Sequence, residues 1–130
     1  MKYSTFEFIF PNIVVIRFLN VIPTVEEFDE YLKELDKLYS RNEKFVTIID
    51  GTNSKFLPST FRIKQGKWMK DNAEKIKKFC LGQAYIIPSI MAKIILEGVF
   101  IITKPNVPYT INTKEHEALQ WAKNILANKL

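Results

Sequence analysis

The sequence predicts an α/β fold: a mainly parallel sheet of about five strands with an antiparallel N-terminal strand, in the order ββαβαβαβα. Three observations carry this. Short Val-, Ile- and aromatic-rich runs alternate with stretches at helical spacing, the pattern of strands joined by crossover helices. The first two runs are separated only by Pro11-Asn12, so they pair through a tight turn and run antiparallel. With four glycines and no repeat, low-complexity tract or Gly/Ser linker, the connections are short and residues 1–130 read as one domain.

Residues 4–10 and 13–19 are the first strands. Phe6, Phe8 and Phe10 share one face of the first by its period of two. Ile13 to Leu19 is almost continuously apolar, as in a strand covered on both faces. Thr24 then opens a helix, with Glu27 three residues on completing a capping box. Phe28, Tyr31, Leu32, Leu35, Leu38 and Tyr39 make its core-facing stripe. Acidic residues Glu26, Glu27, Asp29 and Glu30 favour its positive end. Lys44 to Asp50 is a third strand ending in Asp50-Gly51. A loop over 52–58 leads into a long basic helix capped by Ser59 or Thr60, with Gly66 as its weak point, permitting close packing or a bend. A strand near 81–87, a hydrophobic helix near 90–102 and a strand near 107–111 follow. The last helix starts after Asn112 or Thr113, with Glu115 placed for an Asn112 box, and buries Ala118, Leu119, Ala122, Ile125 and Leu126.

Composition narrows the function classes. Ten Phe, five Tyr and two Trp exclude a disordered chain. One cysteine, Cys80, excludes an internal disulfide framework and a multi-cysteine zinc site, and points to a reducing cytoplasm. The apolar run 86–102 is interrupted by Pro88, Lys93, Glu97 and Gly98, which predicts a buried helix and a soluble protein with no membrane span. The net charge of +5 sits in one segment. Between Arg62 and Lys78 there are seven basic residues and two acidic ones, so the rest of the chain balances.

No catalytic constellation, metal set or cofactor loop is recognisable, and the reading is of a protein that is not an enzyme. His116, the only histidine, lies in a polar helix start and reads as a surface residue. Cys80 reads as a buried, inert thiol without an activating base. Neither GxGxxG nor GxxxxGK[ST] occurs. Asp50 ends an interior strand, where ligands of α/β sheets bind, but its plainer reading is a turn with Gly51. The basic helix reads as a solvated outer face with aromatics packed inward. Nucleic-acid binding, with Phe61 and Trp68 as stacking surfaces, is the lesser reading. Ser59 and Thr60 sit between a strand and a helix N-terminus, as N-caps or as hydroxyls whose phosphates Arg62 and Lys64 would neighbour.

The element order and the closing Glu117-Ala118-Leu119-Gln120-Trp121 run resemble the STAS, or anti-sigma-factor-antagonist-like (SpoIIAA-like), superfamily over nearly the whole chain. Its antagonist branch carries an Asp and a hydroxyl after the third strand, then an apolar residue, an acid, a hydroxyl pair and a glycine. Asp50, Thr52, Leu57, Ser59 and Thr60 fit, whereas Pro58 stands for the acid and Phe61 for the glycine. The resemblance implies a non-enzymatic regulatory or protein-interaction module. Ser59 or Thr60 would be its switch, and a partner would dock on Asp50, Phe56, Lys64 and Lys67. A SEC14-type branch of the same broad fold implies instead a small apolar ligand or lipid, with Ile90, Ile94, Ile95, Val99 and Phe100 lining a pocket. The same residues read otherwise as plain core. Strand edges and aromatic patches also permit a homodimer.

Overall fold

The computed structural model describes residues 2–10, 12–53, 57–102 and 104–129, without the side chains of Phe10, Ile95, Val99, Ile102 and Lys129. Its strands are β1 (Ser4–Phe10), β2 (Ile13–Phe18), β3 (Phe45–Asp50), β4 (Cys80–Ile86) and β5 (Tyr109–Asn112). The helices are α1 (Val25–Tyr39), α2 (Ser59–Asp71), α3 (Ala73–Phe79), α4 (Ile90–Ile102) and α5 (Glu115–Lys129). The sheet order is β1-β2-β3-β4-β5. β1 is antiparallel to β2, and every other neighbouring pair is parallel. Sequence and structure therefore agree on the α/β class, the strand count and the strand directions.

Alternation along the strands divides the core in two. Val14, Ile16 and Phe45 face one side, where they meet Phe28, Tyr31 and Leu35 of α1, Phe61 of α2, and Ile76 and Phe79 of α3. Ile13, Val15, Val46, Ile48, Ala84 and Ile86 face the other side, against Ala118 and Ala122 of α5. β2 contributes to both clusters, which is why its sequence is almost unbroken apolar.

Helix ends follow local chemistry. The Thr24 box forms as expected: Thr24 Oγ1 accepts from the Glu27 amide at 3.2 Å, and Glu27 Oε1 accepts from the Thr24 amide at 2.8 Å. The bond from Thr24 holds the Glu27 carboxyl below its ordinary range. The other two caps differ from expectation. Pro58, extended at φ −55° and ψ 151°, holds the N-cap position of α2, and no side chain caps that helix. The Pro58 carbonyl accepts from the Phe61 and Arg62 amides, so Ser59 and Thr60 are the first two helical residues instead. Asn112 closes β5, where its amide donates to the Tyr85 carbonyl at 3.5 Å, and the Glu115 carboxylate is taken by Arg17.

The basic helix is two helices. It continues without interruption through Gly66 and breaks at Asn72, whose backbone and side-chain amides both donate to the Trp68 carbonyl. Side-chain competition for that acceptor ends the ladder. Gly66 permits no close packing either, since nothing lies within 4 Å of where its Cβ would be. α4 departs furthest from the buried helix expected: Ile90, Ile94 and Ile101 are 71%, 57% and 84% exposed. It lies outside the main core and is anchored inward by Phe100, stacked edge-on against Tyr85 and Tyr109 with centroids 5.2 and 5.0 Å apart.

At Gly82 the Trp121 ring of α5 presses against the sheet. A Cβ there would lie 2.7 Å from the Trp121 ring and 3.2 Å from the Pro108 carbonyl oxygen. Gly82→Ala therefore displaces Trp121 from β4 and costs about 1–3 kcal/mol. Thermal unfolding checks this, with a lowered midpoint expected and an unchanged one contradicting the packing.

Candidate functional site

Asp50 is consumed by the fold. Arg17 and Asp50 are register partners at the ends of the parallel strands β2 and β3. Arg17 Nη1 donates to Asp50 Oδ2 and to Glu115 Oε1, each at 2.6 Å, while its Nε lies 3.6 Å from Glu7 Oε2. The other Asp50 oxygen accepts from the Thr52 amide at 2.9 Å and the Thr52 hydroxyl at 2.5 Å. One guanidinium thus ties β1, β2, β3 and α5 together. Burial acts to raise the Asp50 carboxyl, but the Thr52 and Arg17 hydrogen bonds outweigh it and hold it below its ordinary range. The hydrogen bond that Arg17 donates to Glu115 is the main reason Arg17 is held above its own.

The expected docking residues do not converge. Asp50 lies on the α5 face of the sheet, whereas α2 covers the opposite face. Lys64 Nζ donates to Asp29 at 2.9 Å, joining α2 to α1, and Lys67 pairs with Asp71 one turn on at 2.7 Å. Phe56 lies outside the described residues. Ser59 and Thr60 are exposed at the start of α2. Of the stacking candidates, Phe61 is buried, and Trp68 donates its indole N–H to Asp36 at 2.8 Å while packing on Tyr39. That matches the inward-packed reading of the basic segment. His116 is exposed, as expected. Cys80 is buried, bonded to the Gly82 carbonyl at 3.3 Å, and burial pushes its thiol pKa up.

A different site emerges over the middle of the sheet. The helix-covered face of β3 and β4 carries Thr47, Ile49, Gln83 and Tyr85, and above them lies a cavity of about 480 Å³. Burial along β4 shows the asymmetry: Gly82, Ala84 and Ile86 beneath α5 are buried, while Gln83 and Tyr85 on the cavity side are only half-buried. Ile49, on the central strand, is likewise incompletely covered. Tyr31, Leu35 and Tyr39 of α1 form one wall. Arg62, Gly66 and Met69 lie on one strip of α2 at helical spacing and form a second. Leu96 and Phe100 of α4 form a third.

Two pairs of polar groups in this lining bond to each other. Tyr85 donates to Gln83 Oε1 at 2.9 Å, and Gln65 Nε2 donates to the Tyr31 hydroxyl at 3.3 Å. Burial raises the Tyr31 and Tyr85 phenols, so both are neutral at ordinary pH. Burial likewise pushes the Tyr3 phenol up to about 12. Of the pocket expected from α4, Phe100 lines the cavity, but Ile90 and Ile94 turn outward, since that helix meets the sheet through its Leu96–Phe100 edge. The side chains of Ile95 and Val99 lie outside the described ones. The remaining lining comes from separate elements that no local spacing connects.

Neither a family model nor a curated protein matches this chain. A solved structure does: the crystal structure of an uncharacterised DUF3478-family protein from Shewanella loihica PV-4, described as having a SpoIIAA-like fold. The two are 13% identical, with a TM-score of 0.71 over 92% of this chain and 91% of that one. The fold is SpoIIAA-like. The SpoIIAA-like fold expected from the element order is thereby shown, and no helix among the described residues is long and apolar enough to cross a membrane.

Because Asp50 titrates below its unfolded value, near 3.8, its stabilising contribution is fully present above about pH 5. It is lost as pH falls through the folded value. Asp50→Asn is expected to cost about 1 kcal/mol at pH 7 and less at pH 3, below the unfolded value. Urea unfolding at both pH values checks this, and an equal loss at both would contradict the charge assignment.

Proposed function

We propose that this SpoIIAA-like chain is a non-catalytic binding module that takes one small apolar ligand between α2 and α4. The observation that carries the reading is the cavity of about 480 Å³ over the central strand, within the size range of small-molecule sites. It is lined mainly by aromatic and aliphatic side chains with a few paired polar groups. Two other hollows, beside Phe8 and Arg41 and beside His116 and Trp121, are more open to solvent.

Gly66 supports the same reading. A helix-interior glycine costs about 1 kcal/mol against alanine, and here no neighbour requires it. Its position at the cavity rim, between Arg62 and Met69, gives the missing side chain a role: it leaves the entrance open. Gly66→Ala is expected to stabilise the protein by about 1 kcal/mol. Gly66→Leu is expected to fold and to weaken binding of the neutral dye Nile red by about tenfold or more, or ~1.4 kcal/mol. Dye emission titrated against both variants is the measurement. Unchanged affinity in folded Gly66→Leu would remove the cavity as the binding site.

A second reading, a regulatory module that docks a protein partner at the start of α2, is favoured by the exposure of Ser59 and Thr60. Their hydroxyls cap nothing, and the helix dipole favours a phosphate there. Peptide mapping of protein isolated from its own host is expected to place phosphate on one of them. Thr60→Asp is then expected to alter affinity for a co-purified partner, and unmodified hydroxyls with unaltered affinity would count against this reading.

A further inference from the structure

We propose that the outer face of α4, with the basic outer surface of α2 and α3 beside it, docks on an anionic lipid membrane without crossing it. This surface is separate from the cavity lining and does not require the cavity to be a ligand site.

The apolar half lies on α4. At about 100° per residue, Ile90, Ile94 and Ile101 fall within about 40° of one another around the helix axis. All three are exposed, and so is Met91 on the same side. Lys93 and Glu97 border this face, and their charges cancel. Scattered apolar residues are ordinary on a surface, but four on one side of one short helix form a patch. The fold does not need that patch, because α4 is held through Leu96 and Phe100 on its other edge.

The basic half adjoins it. α2 and α4 line one cavity, so both lie on the same side of the sheet. The Asn106 amide, just beyond α4, donates to the Ala73 carbonyl at 3.3 Å and ties the end of α4 to the start of α3. Ile63, Lys67 and Lys70 share a strip of α2 at helical spacing, and all are exposed. Lys67 pairs with Asp71. Lys70, with Lys75 and Lys77 of α3, is exposed and has no carboxylate partner among the described residues.

One occupant meets both halves. A membrane interface offers hydrocarbon to the isoleucines and anionic headgroups to the lysines, the two signals that peripheral docking combines. A second copy paired through the same face would bring two segments of charge +5 together, which is repulsive. A nucleic acid would satisfy the lysines and leave the isoleucines in water.

Flotation of the full chain with vesicles tests this. One set is phosphatidylcholine alone, and in the other about one lipid in three is phosphatidylserine. Binding is expected to favour the anionic vesicles by about tenfold or more and to weaken as salt rises. Ile94→Asp and Ile101→Asp, at exposed positions, are each expected to keep the unfolding midpoint and to weaken vesicle binding about tenfold or more. Lys70→Gln is expected to weaken it about fivefold. Absence of binding to anionic vesicles at low salt overturns the proposal, as does equal binding to both vesicles or binding that both isoleucine variants retain. Sedimentation that shows Ile94→Asp separating two copies also overturns it and assigns the face to self-association.

Discussion

Strand order is the constraint on which the rest of this structure depends. Each of the three parallel connections links neighbours in a sequential β2-β3-β4-β5 sheet. Crossovers of one hand between such neighbours put all their helices on the same face. α1 to α4 therefore share one side, and α5 alone covers the other. The single helix can settle fully: Ala118 and Ala122 are small enough to bring it onto Val46, Ile48 and Ala84, and the glycine at 82 admits the Trp121 ring. Four helices on the crowded side cannot all reach the sheet. α1 to α3 pack over Val14, Ile16, Phe45 and Cys80, α4 is held mainly by Phe100 near the β5 edge, and the space between them stays unfilled.

Arg17 plays the complementary part at the strand ends. It lies on the α5 face and meets Glu7, Asp50 and Glu115, residues far apart in the chain. Hydrogen bonds from Thr52, and then from Arg17, hold the Asp50 carboxyl below its ordinary range against the effect of burial. A carboxylate at the C-terminal end of an interior strand has the position of a ligand-binding group. Here that position is used to close the fold, and the cavity lies on the opposite face.

Much of the architecture was legible because its signals are local. The Thr24–Glu27 box, the Pro11-Asn12 turn and the β-branched runs each fix an element within a few residues, and the order of elements then implies the sheet. The break at Asn72 had a weaker local signal. Asp71 and Asn72 are both poor helix formers, but seven basic residues and the aromatic spacing around them read as one continuous helix. The cavity had no local signal. Ile49, Tyr31, Gly66, Gln83 and Phe100 come from five elements, and only their packing brings them together. α4 misled for a related reason: an apolar helix pattern shows that a helix avoids charge, not which of its edges meets the sheet. Only Phe100 of the residues expected to line a pocket is seen to do so.

Gly66 joins the fold to the proposed function, because it lies in the cavity lining on the α2 strip with Arg62 and Met69. The central claim is that this cavity is an occupied ligand site. Native mass spectrometry of the protein purified gently from its own host tests it most directly. A single small-molecule adduct, released by collisional activation and absent when Gly66 is replaced by leucine, is the predicted result. A bare protein mass from the host, or an adduct retained unchanged by that substitution, would contradict it.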